Sequence, residues 1–343
     1  MLYRCLLKPF LFFLNPEFAH NFTFLIIKVF FWIPGFKSIL KFYYCVDNKD
    51  LEIKIFGLTF KNPVGLAAGF DKNAKLFNEL SYFGFGFIEI GTVTPLPQVG
   101  NSKPRLFRLP KDEALINRMG FNNDGIDLIV TRLKKRYTNI IIGGNIGKNK
   151  ITSNELAALD YKKCFDKIAP YVDYIVLNIS SPNTPNLRRL QNKSELHSLL
   201  TQVQKLNKKQ YNKPILIKIS PDLSITQIDE ILALIRKFDI SGIIATNTSS
   251  NREDLQTSSQ VVEKKGVGGL SGKPLYLKSK KIVNYIHTKT QGNLPIIAVG
   301  GIMSADDAVA MLNAGASLVQ IYSGFVYNGP SIVSEINKKI LRH

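Results

Sequence analysis

The sequence YIVLNISSPNT, residues 174–184, joins an apolar run directly to a polar segment. The run Tyr174–Leu177 predicts a buried strand. Carboxamides and hydroxyls follow it, and Pro182 restricts the residue before it to an extended or turned backbone. Because Ser-Ser-Pro-Asn-Thr is also an ordinary turn sequence, this stretch alone does not establish a site. It predicts a strand whose carboxyl end delivers polar groups to a pocket, where a proton would have to go to a serine because the stretch contains no acid, histidine or cysteine.

Short apolar runs of this kind recur from about residue 45 to the end of the chain. Eight are present, at residues 63–68, 87–92, 140–146, 174–179, 215–219, 242–247, 296–300 and 318–323. The segments between them carry apolar residues at helical spacing. Hydrophobic strands that alternate with helices indicate a parallel sheet covered by helices, and eight units predict an α/β fold of the (β/α)8 TIM-barrel type over residues 45–343. A doubly wound sheet is the alternative, weakened because no G-x-G-x-x-G turn follows the first strand.

Two long segments, about 93–121 and 248–273, interrupt this alternation of strands and helices. Long loops in a barrel usually lie at its catalytic end. We therefore expect them to act as binding loops or lids.

Residues 1–44 differ in composition from the rest and form a separate N-terminal appendage. Phe, Leu, Ile, Tyr and Trp dominate, but Lys8, Glu17 and Lys28 keep every apolar run below the roughly 18 residues of a spanning helix. Two helices, about 3–14 and 17–32, would present a wide apolar surface edged with basic residues. This composition is typical of a helix pair in a membrane interface, and a lid packed on the barrel is the alternative. Since we find no targeting sequence, we expect peripheral attachment to the cytoplasmic side of a bacterial inner membrane.

The net charge of +19 suits an anionic partner. Because Lys and Arg are scattered and no aromatic-interleaved basic patch occurs, we expect an anionic membrane surface rather than nucleic acid. The three cysteines form no C-x-x-C pair and the four histidines show no metal-ligand spacing, so we expect a reducing compartment and no metal site. We also expect a monomer.

In a TIM barrel the carboxyl ends of the strands build the site. Here those ends are rich in carboxamides and hydroxyls and carry two lysines: Ala67–Lys72, Gly91–Thr92, Asn145, Asn178 with Ser181 and Asn183, Lys218, Thr246–Thr248, Gly300–Gly301 and Tyr322–Ser323. Each has an ordinary structural explanation alone, such as a turn for Asn or snorkelling for Lys218. Their convergence on one mouth predicts a ligand site.

Glycines near the last two strands predict a phosphate site. They lie in Gly268–Gly272, Gly300–Gly301 and Ser323–Gly324, where barrels commonly bind phosphate on backbone N–H groups. A phosphate implies a nucleotide-like cofactor, and without a catalytic His, Cys or metal, flavin mononucleotide (FMN) is the economical choice. Lys218 is then the better candidate to stabilise negative charge on the reduced flavin, and Lys72 suits contact with cofactor and substrate.

The sequence resembles the quinone-dependent, class 2 dihydroorotate dehydrogenases over nearly its whole length. The shared motifs are NPEFAH (15–20), AAGFDK (67–72), EIGTVTP (89–95), KPRLFRL (103–109), INRMGFNN (116–123), NIGKNK (145–150), NISSPNTP (178–185), KISPDL (218–223), ATNT (245–248), GGLSG (268–272), VGGI (299–302) and QIYSG (320–324).

The resemblance implies FMN contacts at Ala68, Gly69, Phe70, Asp71, Lys72, Thr92, Asn145, Asn178, Lys218, Thr246, Gly272, Gly301, Tyr322 and Ser323. For orotate or dihydroorotate it implies Lys72, Asn117, Arg118, Met119, Gly120, Phe121, Asn178, Asn183, Asn247 and Thr248. It makes Ser181 the catalytic base, where class 1 relatives use cysteine. It places His20, Arg108 and Tyr322 near a quinone head, with the appendage forming the mouth of an apolar tunnel.

The activity implied is oxidation of (S)-dihydroorotate to orotate in pyrimidine biosynthesis, with FMN accepting the hydride and a membrane quinone reoxidising it. Ser181 would take the C5 proton, helped by a hydroxyl neighbour such as Thr184. One alternative is an FMN barrel that uses fumarate or NAD; Ser181 and the appendage count against it. The other is a non-catalytic membrane or nucleic-acid binding module, which FMN retention and turnover would exclude.

Overall fold

A closed barrel of eight parallel strands forms the centre of the computed structural model, which describes residues 3–342. In chain order these barrel strands are Val64–Leu66, Phe87–Val93, Ile141–Ile146, Tyr174–Asn178, Ile215–Ile219, Gly242–Ala245, Ile296–Val299 and Leu318–Ile321. Each pairs with the next, and the eighth pairs with the first, Val319 lying opposite Val64. The predicted (β/α)8 barrel is confirmed.

Helices follow the strands and cover the outside of the barrel. The main ones are Phe77–Leu80, Ile126–Leu133, Ala157–Ile168, Lys193–Gln210, Ile225–Lys237, Tyr276–Lys289, Ala305–Asn313 and Ser331–Ile340, with a short helix, Ser323–Asn328, before the last. Local sequence sets their ends: the Ser224 hydroxyl accepts from Gln227 N (3.2 Å), and the Gln227 side chain accepts from Ser224 N (3.0 Å). This capping box starts the helix that follows the fifth strand.

Aromatic rings fill the barrel at the amino ends of its strands. Phe87 and Tyr174 are fully buried there, and two glycines make room for them. A Cβ on Gly65 would lie 2.3 Å from the Phe87 ring, and one on Gly143 would lie 2.2 Å from the Tyr174 ring. A hairpin of Ile53–Ile55 and Leu58–Phe60, which sequence analysis did not predict, packs Phe60 on Phe87.

The two inserts meet in a three-stranded antiparallel sheet at the carboxyl end of the barrel. Its strands are Leu106–Leu109 and Ala114–Asn117 from the first insert and Gly269–Gly272 from the second. The second insert also contains a helix, Ser259–Lys265. We name this sheet the insert sheet.

The appendage contains the two predicted helices and a third that was not predicted. Lys8–Phe13, preceded by a π-helical turn at Tyr3–Leu7, is followed by Pro16–Phe30 and Phe36–Tyr44. The break between the first two follows from Asn15, whose side chain accepts from the N–H groups of residues 17 and 18 at 3.0 and 3.4 Å. Pro16 then occupies the first helical position, where its missing N–H is tolerated.

Most apolar side chains of the appendage face outward. Only Ala19 and Leu40 are buried among the described residues of these helices, whereas Phe13, Trp32 and Phe42 are 92%, 88% and 82% exposed. Between residues 3 and 342, no helix combines the length and hydropathy needed to cross a membrane.

Candidate active site

One large cavity opens at the carboxyl ends of the barrel strands, beneath the insert sheet, and encloses about 1120 Å³ including space open to solvent. Most of the predicted site residues line it: Ala68, Gly69, Lys72, Thr92, Asn117, Met119, Gly120, Phe121, Asn178, Ser181, Asn183, Lys218, Thr246, Asn247, Thr248, Gly272, Gly301, Tyr322 and Ser323. Sequence reasoning did not single out Leu106 and Leu115 of the insert sheet, Leu275, or Gln320 at the barrel interior, which also line it.

Several predicted residues lie outside the cavity lining. The Asp71 carboxylate accepts from Lys75 N and Leu76 N, both at 2.7 Å, and so orders the turn after the first strand. Burial raises its pKa to about 6. The Arg118 guanidinium donates to the Lys265, Val267 and Pro104 carbonyls, so it holds the second insert instead of facing the cavity.

Side-chain amides form a continuous hydrogen-bonded chain across the cavity floor. Asn145 lies just behind the lining, and its Oδ1 accepts from Thr92 Oγ1 (2.5 Å) and from Asn178 Nδ2 (3.3 Å). Asn178 Oδ1 in turn accepts from Asn247 Nδ2 at 3.2 Å, and the same nitrogen donates to Ser180 Oγ at 2.9 Å. We name Asn145, Asn178 and Asn247 the amide chain. Such a chain can orient a planar ligand through paired donors and acceptors.

A buried carboxylate, Glu89, lies at the inner end of the amide chain. Its Oε1 accepts from Asn145 Nδ2 (2.7 Å), its Oε2 accepts from Gln320 Nε2 (2.6 Å), and the Lys218 ammonium lies 3.7 Å from Oε1. Sequence reasoning missed Glu89, although an acid inside the otherwise apolar run of the second strand is an identifiable signal.

Ser181 lies in a tight polar turn after the fourth strand. It is buried apart from its access to the cavity, and its Oγ accepts from Asn183 N at 3.2 Å. Asn183 Nδ2 donates to Asn117 Oδ1 (2.9 Å), which ties this turn to the insert sheet. The buried hydroxyl of Thr184 has no hydrogen-bond partner within residues 3–342. Its capacity to donate and accept hydrogen bonds is therefore unused among these residues.

Lys72 is the cation at the other side of the cavity. Burial lowers its pKa to about 8, and repulsion by Arg105 acts in the same direction. Glu17 opposes this shift. An anionic ligand beside Lys72 would favour its charged form.

The wall formed by the ends of the seventh and eighth barrel strands and by the insert-sheet strand Gly269–Gly272 combines glycines with hydroxyls, which suits a phosphate. Gly272 and Gly301 have positive φ values of 100° and 79°. A Cβ on them would lie 2.3 Å from the Glu113 carbonyl oxygen and 2.4 Å from Tyr276 N, so no larger residue fits either place. Beside them the Ser271 and Ser323 hydroxyls lie 3.1 Å apart. This combination of small residues and donors fits the phosphate end of FMN.

An aromatic wall separates the cavity from the appendage. The Phe70 ring packs edge-on against His20 (5.2 Å between centroids) and Tyr322 (5.6 Å), and His20 packs on Phe24 (4.3 Å). Burial, and then the charge of Lys72, lower the pKa of His20 to about 4. His20 is therefore neutral near pH 7, with one ring nitrogen that donates and one that accepts.

Arginine side chains hold the appendage to the insert sheet. Arg108 donates to the carbonyls of Leu11, Phe12 and Leu14 (3.1, 3.2 and 2.7 Å), which lie at the end of the first helix. A cation there satisfies carbonyls that lack partners within the helix. The first helix is thereby fixed beside the cavity.

Comparison with known proteins identifies the family. The sequence model of the family described as dihydroorotate dehydrogenase matches residues 50–343. The chain belongs to this family. Dihydroorotate dehydrogenase (quinone) of Christiangramia forsetii is 53% identical over 341 residues, 99% of each chain, and the protein of the same name from Coxiella burnetii is 47% identical over 349 residues, 98% of this chain and 96% of that one.

The fold comparison agrees with the sequence comparison. The crystal structure of DHODH from Eimeria tenella in complex with ferulenol has a TM-score of 0.86 and 37% identity, and covers 96% of this chain and 91% of that chain. The resemblance to quinone-dependent dihydroorotate dehydrogenases is confirmed, and so is the prediction of an oxidoreductase. The assignment of individual site residues remains a prediction. Among residues 3–342, no three His, Cys, Asp or Glu side chains are grouped so that they could hold a metal ion.

Proposed function

We propose that this chain oxidises (S)-dihydroorotate to orotate, with FMN as hydride acceptor and a membrane quinone as terminal electron acceptor, in de novo pyrimidine (UMP) biosynthesis. One observation carries the proposal. A single cavity is lined by Ser181, Asn178, Asn247 and Lys218, and the aromatic wall of Phe70 and Tyr322 lies between it and His20 of the apolar appendage. Two reactants of opposite polarity can therefore reach one cofactor from different sides.

FMN is proposed to lie over the barrel mouth. When bound, it accepts a hydride from the substrate and passes the electrons to the quinone. The residues we propose to hold it are Ala68, Gly69, Phe70, Asp71, Lys72, Thr92, Asn145, Asn178, Lys218, Thr246, Gly272, Gly301, Tyr322 and Ser323. Phe70, Asp71 and Asn145 lie outside the cavity lining and would contribute indirectly. Asp71 orders the turn after the first strand through the N–H groups of Lys75 and Leu76, and Asn145 acts from behind Thr92 and Asn178. Lys218 supplies positive charge where the reduced isoalloxazine gains electrons.

The substrate is proposed to bind between the amide chain and the insert sheet. Its contacts would come from Lys72, Asn117, Arg118, Met119, Gly120, Phe121, Asn178, Asn183, Asn247 and Thr248. Carboxamides match the ring's alternating N–H and C=O groups, and Lys72 matches the carboxylate. Arg118 would contribute indirectly, because its side chain holds the second insert and its backbone N–H and carbonyl bond Arg105 and Asn101.

Ser181 is proposed to remove the C5 proton. A serine hydroxyl is a weak base near pH 7, so it needs a relay and a site that excludes water. The unpartnered Thr184 hydroxyl in the same turn supports such a relay. Arg118 bonds the Lys265 and Val267 carbonyls and so ties the second insert to the insert sheet above the cavity, while Arg252 braces that insert internally at the Gly268 carbonyl.

The quinone is proposed to approach through the appendage, with His20, Arg108 and Tyr322 near its head group. The exposed Phe13, Trp32 and Phe42 support insertion of residues 1–44 into a membrane interface, as a domain distinct from the barrel of residues 45–343. The net charge of +19 supports contact with an anionic surface. We extend the proposal to a monomer attached peripherally to the cytoplasmic side of the inner membrane, without nucleic acid as a partner.

The test is a comparison of electron acceptors with the purified full-length protein. Denaturation should release FMN, and orotate formation, followed by its ultraviolet absorbance, should be fast with a long-tailed quinone and negligible with fumarate or NAD. Equal rates with fumarate or NAD would favour the alternative FMN barrel enzyme. Orotate formation without any flavin would exclude the proposed chemistry.

A further inference from the structure

Glu89 places a negative charge in the interior of the barrel, directly below the cavity floor. It is 0% exposed, and it points inward from the middle of the second strand, Phe87–Val93. The mechanism proposed above does not use this carboxylate. Burying a carboxylate is strongly unfavourable unless charges and hydrogen bonds compensate for the lost water. The structure must therefore contain groups that compensate for the free-energy cost of burying this carboxylate.

Two hydrogen-bond donors and one cation, from three other strands, surround the carboxylate. Asn145 of the third strand and Gln320 of the eighth each donate one N–H, at 2.7 and 2.6 Å, and Lys218 of the fifth strand supplies the counter-charge at 3.7 Å. Lys218 is itself buried and reaches the cavity. Glu89 therefore fixes both the position and the local field of the cavity's inner cation.

The carboxylate also determines which way the amide chain points. Because an ionised carboxylate only accepts hydrogen bonds, Asn145 must turn its NH₂ group toward Glu89 and its oxygen toward Thr92 and Asn178. Asn178 must then present its NH₂ to Asn145 and its oxygen to Asn247. One buried charge thus sets the donor and acceptor ends of three consecutive amides.

We propose that Glu89 is a positioning residue that sets the donor and acceptor polarity of the amide chain. It also partly offsets the positive charge that Lys218 presents to the cofactor. This rests on the proposed function, since the ligands read by these groups are the pyrimidine and the flavin. Glu89 acts through Asn145 and Lys218 and touches neither ligand. It contributes the direction of the hydrogen bonds and the electrostatic field.

Gln320 makes it possible to separate these two contributions. Its Oε1 has no hydrogen-bond partner within residues 3–342, so this side chain can turn over and become an acceptor. In Glu89→Gln, the new NH₂ group can then bond Gln320, while the remaining oxygen still accepts from Asn145. The variant loses the charge but retains the polarity of the amide chain. Glu89→Met, whose side chain has a similar length, removes both the charge and the fixed polarity of the amide chain.

The experiment measures the flavin midpoint potential and the orotate affinity of the full-length holoprotein, the latter from the change in flavin absorbance. Glu89→Gln should keep its orotate Kd within about threefold of the unchanged protein, because its hydrogen bonds remain. Its potential should become more positive, because Lys218 is no longer neutralised and favours the reduced flavin. Glu89→Met should weaken orotate binding by roughly tenfold or more, since the amides lose their fixed direction.

Three results would overturn the proposal: potentials and affinities equal to the unchanged protein in both variants, an unshifted potential in Glu89→Gln, or equal losses of orotate affinity in both. If Glu89→Met does not fold, the potential of Glu89→Gln decides alone. A failure of the proposed function looks different, because the unchanged protein would then lack flavin or fail to bind orotate. In that case the proposed role of Glu89 would also be wrong.

Discussion

The carboxylate of Glu17 and the guanidinium of Arg105 form a two-pronged ion pair between the appendage and the loop before the insert sheet. Nη2 lies 2.7 Å from Oε1 and Nε lies 3.1 Å from Oε2. Arg105 is almost fully buried, and it also donates to the Val99 and Asn101 carbonyls. Although burial acts to raise it, the pKa of Glu17 is lowered by the hydrogen bond and charge of Arg105. The second appendage helix is therefore fastened at its first turn, one helical turn before His20.

We predict that Glu17→Gln loosens the appendage while leaving flavin reduction intact. Removing one partner of a buried pair leaves the other charge uncompensated, so the free energy of unfolding should fall by about 2 to 3 kcal/mol. Oxidation by a long-tailed quinone should slow more than reduction by dihydroorotate. The matched control is Lys103→Gln, whose ammonium is exposed and lies 3.7 Å from Glu17; it should change stability by about 0.5 kcal/mol or less. Equal effects of both substitutions would contradict the role of the buried pair.

We predict that Ser181→Ala retains FMN but slows flavin reduction by dihydroorotate roughly 100- to 10,000-fold, because the proton acceptor is lost. Stopped-flow absorbance of the anaerobic protein measures this directly. Ser180→Ala is the matched control, since the neighbouring hydroxyl bonds the Asn247 and Asn178 amides and takes no proton in this scheme. It should weaken orotate binding more than it slows the chemical step. Near-normal reduction in Ser181→Ala would exclude this base.

We predict that orotate affinity depends on pH through Lys72. With a pKa lowered to about 8 by burial, Lys72 is charged below that pH and neutral above it. Binding a carboxylate needs the charged form, so affinity should be constant below pH 8 and fall by about tenfold per pH unit above it. Lys72→Arg keeps its charge throughout this range and should flatten the profile, as measured by flavin absorbance titrations. An unchanged slope in Lys72→Arg would assign the titration to another group.

We predict that exposed aromatic residues of the appendage carry the membrane contact. Trp32→Glu and Phe42→Glu should each lower binding to vesicles of anionic lipid by roughly tenfold or more, because each removes a large apolar group from the interface. Ile151→Glu is the matched control, since Ile151 is 85% exposed but lies on the barrel. Cosedimentation measures all three. An equal loss in Ile151→Glu would show that added negative charge alone explains the effect.

The barrel could be predicted because each strand and each helix is indicated by its own short stretch of sequence. Each strand is a continuous apolar run such as Tyr174–Leu177, and each helix shows its own periodicity. The insert sheet was missed because it joins Ala114–Asn117 to Gly269–Gly272, segments more than 150 residues apart whose sequences carry no strand periodicity. The helix Phe36–Tyr44 was missed because its apolar residues continue the composition of the segment before it.

The sequence predicted which residues lie at the site better than it predicted where their side chains point. Motifs located Ser181, Asn178 and Lys218, and the fold brings them together in the cavity. A motif cannot show that the Arg118 guanidinium turns away from its neighbours toward the second insert. It also cannot show that Glu89, inside an apolar strand, accepts a hydrogen bond from Asn145 at the inner end of the amide chain. Both facts depend on contacts between distant strands.

The most direct test is the visible spectrum of the anaerobic full-length protein, recorded before and after addition of dihydroorotate and then of a long-tailed quinone. We expect the flavin absorbance to bleach with dihydroorotate and to recover with quinone, but not with fumarate or NAD. A flavin that does not bleach, or one that recovers equally well with NAD or fumarate, would contradict the proposed reaction.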